Sequence, residues 1–91
     1  MSGYTPLMLA ASASDENLDA VKLLVSKGAD TKIKDFNDNT LIHIATMYNN
    51  KKVLEYLLTI GDLNPLDRNK KGETALSIAK EKNNSDLTEI L

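Results

Sequence analysis

The sequence predicts an all-helical solenoid, a stack of three antiparallel helix pairs joined by loops. Three observations carry this expectation. Stretches aligned on Thr5, Thr40 and Thr74 (residues 3–11, 38–46 and 72–80) recur 35 and 34 residues apart. Each leads into an apolar block: Ala20–Val25, Val53–Leu58 and Leu87–Leu91. The first two blocks run into Lys27-Gly28-Ala29-Asp30 and Ile60-Gly61-Asp62. A fixed period of this length marks a chain built from one supersecondary unit, repeated so that neighbours bury what a single unit cannot.

The first helix is expected over residues 6–13. Thr5 caps it, its hydroxyl accepting a first-turn N–H. Pro6 costs nothing at the next position, because its missing N–H would have had no intrahelical partner. Leu7, Ala10 and Ala11 follow the i, i+3, i+4 spacing of one buried face, and the small alanines allow close approach of a partner helix. The second helix, 17–27, carries the first apolar block and stops at Gly28. Thr40 caps a third helix, 41–48, with Ile42 and Ala45 on its buried face. The fourth, 51–60, stops at Gly61. Both glycines are read as left-handed helix stops, a conformation glycine adopts without a Cβ clash. Thr74 caps the fifth helix, 75–82, and the third apolar block forms the sixth, 85–91. Segments 29–39 and 62–73 are the loops. The expected core comprises Leu7, Leu9, Val21, Leu24, Ile42, Ile44, Val53, Leu57, Leu76 and Ile78, with Tyr56 assigned to it as well.

Composition narrows the function. Eleven basic and 13 acidic side chains give a net charge of −2, which removes the broad attraction that non-specific nucleic-acid binding requires. There is no cysteine, hence no disulfide, thiolate metal site or cysteine nucleophile. No apolar run approaches the roughly 20 residues of a membrane span, and no charged-then-apolar leader opens the chain. A cytoplasmic protein is expected, with the nucleus as a second compartment. Lysine (10) and asparagine (9) are abundant while arginine occurs once; the bias reads as base composition rather than mechanism.

The threonine stretches resemble the ankyrin repeat family, whose signature is Thr-Pro-Leu-His-x-Ala. Thr5-Pro6-Leu7-Met8-Leu9-Ala10 matches it with Met8 in place of the histidine, and Thr40-Leu41-Ile42-His43-Ile44-Ala45 keeps the histidine and loses the proline. Gly28-Ala29-Asp30 matches the family's loop entry, and Asp38 stands where the family has glycine. Two extra residues between Ala11 and Leu18 are expected to lengthen one helix–helix turn. One or two more between Asp67 and Gly72 are expected to lengthen a finger-like loop. The resemblance implies repeats at about 3–34, 35–67 and 68–91 in one domain. The chain starts within a loop and stops at Ile90-Leu91, so it is expected to be a piece of a longer protein.

Catalytic and metal chemistry find little support. His43 is the only histidine, with no second ligand or nucleophile at recognisable spacing, and the resemblance makes it a structural residue bonded near Thr40. Asp35-Phe36-Asn37-Asp38-Asn39 imitates the start of a calcium loop, but Thr40 and Thr46 replace the required glycine and twelfth-position carboxylate. Asn83-Asn84-Ser85 has the pattern of a glycosylation sequon and is read as a helix-boundary polar cluster. No phosphate loop, dinucleotide turn or nucleophile elbow occurs. No enzyme activity, cofactor or metal is expected. Lys51-Lys52 and Lys70-Lys71 are the only basic pairs, too short for a nucleic-acid patch; a solvated loop is their default reading and a local acidic contact on a partner the sharper alternative.

In ankyrin proteins the loop tips and the first helix of each pair line a concave binding surface. By that resemblance Tyr4, Phe36, Asn37, Asn39, Met47, Tyr48, Lys70, Lys71, Glu73, Glu81 and Lys82 form one partner-binding stripe. Aromatic residues dominate interface hot spots, which singles out Tyr4, Phe36 and Tyr48. The competing expectation is that Phe36 covers its own loop and Tyr48 packs on the next repeat. The implied function is a protein–protein interaction module or scaffold whose partner is another protein. The alternatives are a regulatory or targeting appendage of a larger enzyme or carrier, as on some acyl-CoA-binding proteins, with the partner a domain of the same chain, and a structural spacer. Neither nucleic-acid binding nor membrane insertion is expected.

Overall fold

A computed structural model describes residues 3–14, 17–61 and 63–91. Six helices follow in order: α1 Pro6–Ala13, α2 Leu18–Ser26, α3 Leu41–Met47, α4 Lys51–Leu58, α5 Ala75–Glu81 and α6 Ser85–Ile90. They form three pairs. The first helices stack directly, α3 lying between α1 and α5, and the second helices α2, α4 and α6 form the outer row. The described residues contain no strand, and none of the helices is long and apolar enough to cross a membrane.

The threonine caps form as the sequence implies. The Thr5, Thr40 and Thr74 hydroxyls accept the amides of Met8, His43 and Ser77 at 3.3, 3.3 and 3.2 Å. In α3 and α5 the third helical residue returns the bond: His43 Nδ1 and Ser77 Oγ each accept the N–H of their capping threonine at 3.0 Å. Such reciprocal boxes satisfy two orphan donors at once. Met8, fully buried in α1, cannot accept that bond and contributes packing instead.

Three helices end alike. Beyond α2, the amides of Gly28 and Ala29 return to Val25 and Leu24; beyond α3, those of Asn49 and Asn50 return to Thr46 and Ala45; beyond α5, those of Asn83 and Asn84 return to Lys80 and Ala79. This Schellman closure needs one left-handed residue. Gly28, Asn49 and Asn83 supply it with φ of 88°, 60° and 56°. Gly61 departs from expectation, since its φ lies outside the left-handed region. Helix α4 closes by tighter i→i−3 bonds, Thr59 to Tyr56 and Ile60 to Leu57, so no left-handed residue is required there.

The core holds Leu7, Val21, Ile42, Ile44, Val53, Leu57 and Ile78 as expected, together with Met8, Ala11, Leu41, Ala45, Leu54, Ala75, Ala79 and Leu87. Leu24 and Tyr56 pack on it while half-buried, and Lys22 Nζ lies 5.5 Å from the Tyr56 ring centroid, a cation–π contact from α2 to α4. Leu76 is also only half-buried. Leu9 was expected inside but is 56% exposed. Its repeat equivalents Ile44 and Ile78 are buried because each has a preceding repeat against it. Leu9 sits on α1, which has a neighbour on one side only.

The extra residues fall partly where expected. Helix α1 has eight residues against seven in α3 and α5, and the α1–α2 turn has four residues against three in the others. The two later loop tips, 35–39 and 69–73, keep a constant offset of 34 residues and the same bonds, Asp35 N–H to Asn39 O and Asn69 N–H to Glu73 O. The additional loop residue therefore lies between Gly61 and Asn69, not between Asp67 and Gly72.

Several asparagines have structural roles. Besides the two left-handed stops, Asn84 caps α6 by accepting the Leu87 amide at 3.2 Å, and its own amide donates to Asn49. Asn50 is buried and donates to the α1 carbonyl of Ala11, joining the first two repeats.

Candidate functional site

The face made by the loop tips and the first helices carries most of the predicted stripe. Its scaffold is a row of Asx turns, in which a side-chain oxygen caps nearby amides. Asp35 Oδ1 accepts the amides of Asn37 and Asn39, both at 2.8 Å, and Asp35 Oδ2 accepts the Asn39 side-chain amide at 3.1 Å. One repeat later, Asn69 Oδ1 accepts the amides of Lys71 and Glu73, both at 3.0 Å. The Asn69 amide group donates to Asn39 Oδ1 at 2.9 Å and to Glu73 Oε1 at 3.0 Å. A backbone bond from Lys70 N–H to Asn37 O, 3.0 Å, clips the two tips side by side.

A left-handed residue completes each turn. Gly3, Asp38 and Gly72 occupy the same repeat position with φ of 79°, 60° and 75°. Asp38 tolerates the geometry as a short polar residue, at a steric cost glycine avoids. Gly3 has a second constraint: a Cβ there would lie 2.6 Å from Phe36 Cδ1. Only glycine lets the Phe36 ring rest against it.

Two adjoining depressions run along this face. The first, about 390 Å³, is lined by Tyr4, the Asp35, Asn37, Asn39 tip, Met47, and the Asn69–Lys71 tip with Glu73. The second, about 400 Å³, is lined by Met47, Lys71 and Glu73 and by Ile78, Glu81 and Lys82 of the α5 end. Sharing three residues, they form one groove. Nine of the 11 predicted residues line it. Phe36 and Tyr48 stand outside the groove lining and are 63% and 51% exposed. Phe36 therefore rests on Gly3 without being covered.

The individual side chains differ in availability. Asn39 is buried and its amide is spent between Asp35 and Asn69, so it braces the loops. Met47 is half-buried against the core. Glu73 is held by Asn69, and its carbonyl accepts from His43 Nε2 at 2.8 Å. Tyr4 is half-buried beside Tyr48. Burial first, then its hydrogen bond to Tyr48 and the nearby negative charge of Asp35, push the Tyr4 hydroxyl from 10.0 up to about 12. Tyr4 is a neutral hydrogen-bonding phenol throughout the ordinary pH range. Asn37, Lys70, Lys71, Glu81 and Lys82 are exposed.

Asp35, Asn69 and Ile78 line the groove but were not singled out as site residues. The signal for the first two was present: they are equivalent positions 34 residues apart, each opening a turn. Ile78 was read as core, and it is 5% exposed at the groove wall. The acidic Asp35–Asn39 run is a self-satisfied turn, its carboxylate occupied by three N–H groups. His43 is likewise committed, Nδ1 to Thr40 and Nε2 to the Glu73 carbonyl.

A family model described as ankyrin repeats, in three copies, matches residues 7–91. Ankyrin repeat protein L271 of Acanthamoeba polyphaga mimivirus is 38% identical over 89 residues, covering 94% of this chain and 12% of its own length. The human transient receptor potential cation channel subfamily A member 1 is 34% identical over 89 residues, covering 98% of this chain and 8% of its own length. Palmitoyltransferase ZDHHC17 of Rattus norvegicus is 36% identical over 81 residues, covering 88% and 13% respectively. The chain spans only a small part of each relative, and the activities in those names are said of those proteins. With the motif, its caps and its stacked pairs present across nearly the whole length, the chain belongs to the ankyrin repeat family, whose repeats are protein–protein interaction modules.

Proposed function

We propose that the chain binds a partner protein along the face formed by its loop tips and first helices. The observation that carries this reading is the continuous groove from Tyr4 to Lys82, flanked by the exposed rings of Phe36 and Tyr48. Aromatic residues are enriched among the side chains that carry interface binding energy, so two exposed rings beside a groove favour this face as the interface. Phe36 and Tyr48 anchor the partner; Asn37, the lysines and Glu81 form the polar rim. Binding requires no catalytic step.

A capture experiment from cell extract tests this, run with the wild-type chain and with a Phe36→Ala/Tyr48→Ala variant. Circular dichroism checks that the variant keeps its helicity. Partners lost by the folded variant support the reading; partners held equally by both proteins move the site to another face. A second reading is that the array is a regulatory or targeting appendage acting on another domain of a larger chain. The proportions of the relatives, in which the matched segment is 8–13% of the length, favour it. It uses the same groove and differs in where the partner resides.

A further inference from the structure

The two ends of the stack differ, and the difference points to an occupant for one of them: we infer that the open side of α1 and α2 docks a further helix pair of the same repeat type, joined ahead of α1 in the same polypeptide. Equivalent positions show what covers this side elsewhere. Pro6 and Leu9 of α1 are exposed, whereas their counterparts Leu41 and Ile44 in α3 and Ala75 and Ile78 in α5 are buried. Ala20, three residues past the α2 cap, is exposed, whereas Val53 and Leu87 at the same place in α4 and α6 are buried. Leu23 is 54% exposed, whereas Tyr56 and Ile90 are half-buried. In the second and third repeats the preceding helix pair provides the cover. The loops repeat the pattern. A depression of about 290 Å³ beside Pro6 is lined by Thr5, Leu7, Ala29, Asp30 and Ile33. Its counterpart one repeat later has Thr40, Ile42, Leu63, Asn64 and Asp67 at the same repeat positions and measures about 160 Å³. Thr31 and Lys32, from the loop of the preceding repeat, complete its wall.

The opposite end of the stack is polar where the inner repeats are closed. Met8, Ala11 and Val21 in the first repeat, and His43, Thr46 and Leu54 in the second, face the following repeat and are buried. Their counterparts Ser77 and Lys80 are exposed, and Thr88 is half-buried. A polar outer face is what a capping repeat presents. It also excludes a second copy stacked in the same sense, which would bring Ser77 and the Lys80 ammonium group against Pro6 and Leu9 and bury a charge without a partner. The occupant is therefore a helix pair with small or apolar residues at the positions of Met8, Ala11 and Val21. Its loop walls the Thr5 depression as Thr31 and Lys32 wall the later one. Every such side inside this chain is covered by the repeat immediately before it in sequence, which makes the same polypeptide the source.

The test compares the chain as it stands with a fusion that repeats residues 38–71 directly ahead of Gly3, so that Lys71 meets Gly3 as it meets Gly72. Leu9→Lys is made in each, and urea unfolding is followed by circular dichroism. The fusion is expected to unfold in one transition with a higher midpoint than the chain. Leu9→Lys is expected to leave the chain's midpoint within about 0.3 M and to lower that of the fusion by about 1 M or more, because only there is the ammonium group buried. Two separate transitions in the fusion, or equal shifts in both proteins, would overturn the docking side. Sedimentation equilibrium of the chain alone is expected to show a monomer; a dimer that Leu9→Lys dissolves would give this side to a second copy and overturn the inference. The intact mass of the protein from its native cells tests the source. More than 10.0 kDa is expected, with a further helix pair ahead of Gly3, and a mature chain of 10.0 kDa overturns it.

Discussion

His43 Nε2 lies 2.8 Å from the carbonyl oxygen of Glu73, 30 residues further along the chain. The other ring nitrogen accepts the Thr40 N–H, so the ring is the tautomer protonated at Nε2 and donates to Glu73. One side chain thus closes the cap of α3 and pins the next loop tip to it. His43→Ala removes the cap bond, a fully buried side chain and one of the two donors to the part-buried Glu73 carbonyl, which keeps the Asn69 N–H. We expect a loss of about 2–4 kcal/mol, read by urea denaturation. A loss below about 0.5 kcal/mol would mean that water replaces both bonds.

Tyr4 provides a pH-dependent test. Its hydroxyl pKa is raised from 10.0 to about 12 in the folded state, so folding favours the neutral phenol. The stabilisation is complete below pH 10 and is lost as pH rises from 10 towards 12. Absorbance titration of the tyrosinates should show one late-ionising group, absent from Tyr4→Phe. A late step that survives in Tyr4→Phe would assign it elsewhere.

Leu9 and Ile44 occupy the same repeat position with opposite exposure, 56% and 0%. Ile44→Ala should cost about 2–5 kcal/mol through lost burial and a cavity. Leu9→Ala should cost no more than about 0.5 kcal/mol. Equal shifts in thermal denaturation would contradict the one-sided packing of α1.

Asp38 holds a φ of 60° where its counterparts are glycine. Asp38→Gly relieves the left-handed strain, partly offset by the greater freedom of unfolded glycine, and should stabilise by about 0.5 kcal/mol. A lower urea midpoint for the variant would show that the aspartate side chain does more than tolerate the turn.

Asn39 links Asp35 to Asn69 from a buried position. Asn39→Ala should destabilise by about 1–3 kcal/mol, because two buried polar partners lose a bond. Amide exchange at residues 35–39 and 69–73 should quicken together. Quickening at the first tip alone would mean that the Lys70–Asn37 bond holds the second without Asn39.

The sequence by itself determined the helices, their starts and the repeat register. Those features are local: a threonine hydroxyl reaches three residues ahead, and a buried face repeats every three or four. It also marked most of the groove, since loop tips and first helices recur at known offsets. The tertiary structure decided what depends on neighbours. Leu9 is bare while Ile44 is buried, because burial is set by the adjoining repeat and not by the residue. Asn49 and Asn83, not Gly61, take the left-handed stops, because the closing hydrogen bonds select the conformation. Asn39 is spent bracing Asn69 of the next loop while Lys70 and Lys71 stay outward, because the partner that occupies Asn39 lies 30 residues away. That division of polar groups between scaffold and surface is long-range, and no period in the sequence records it.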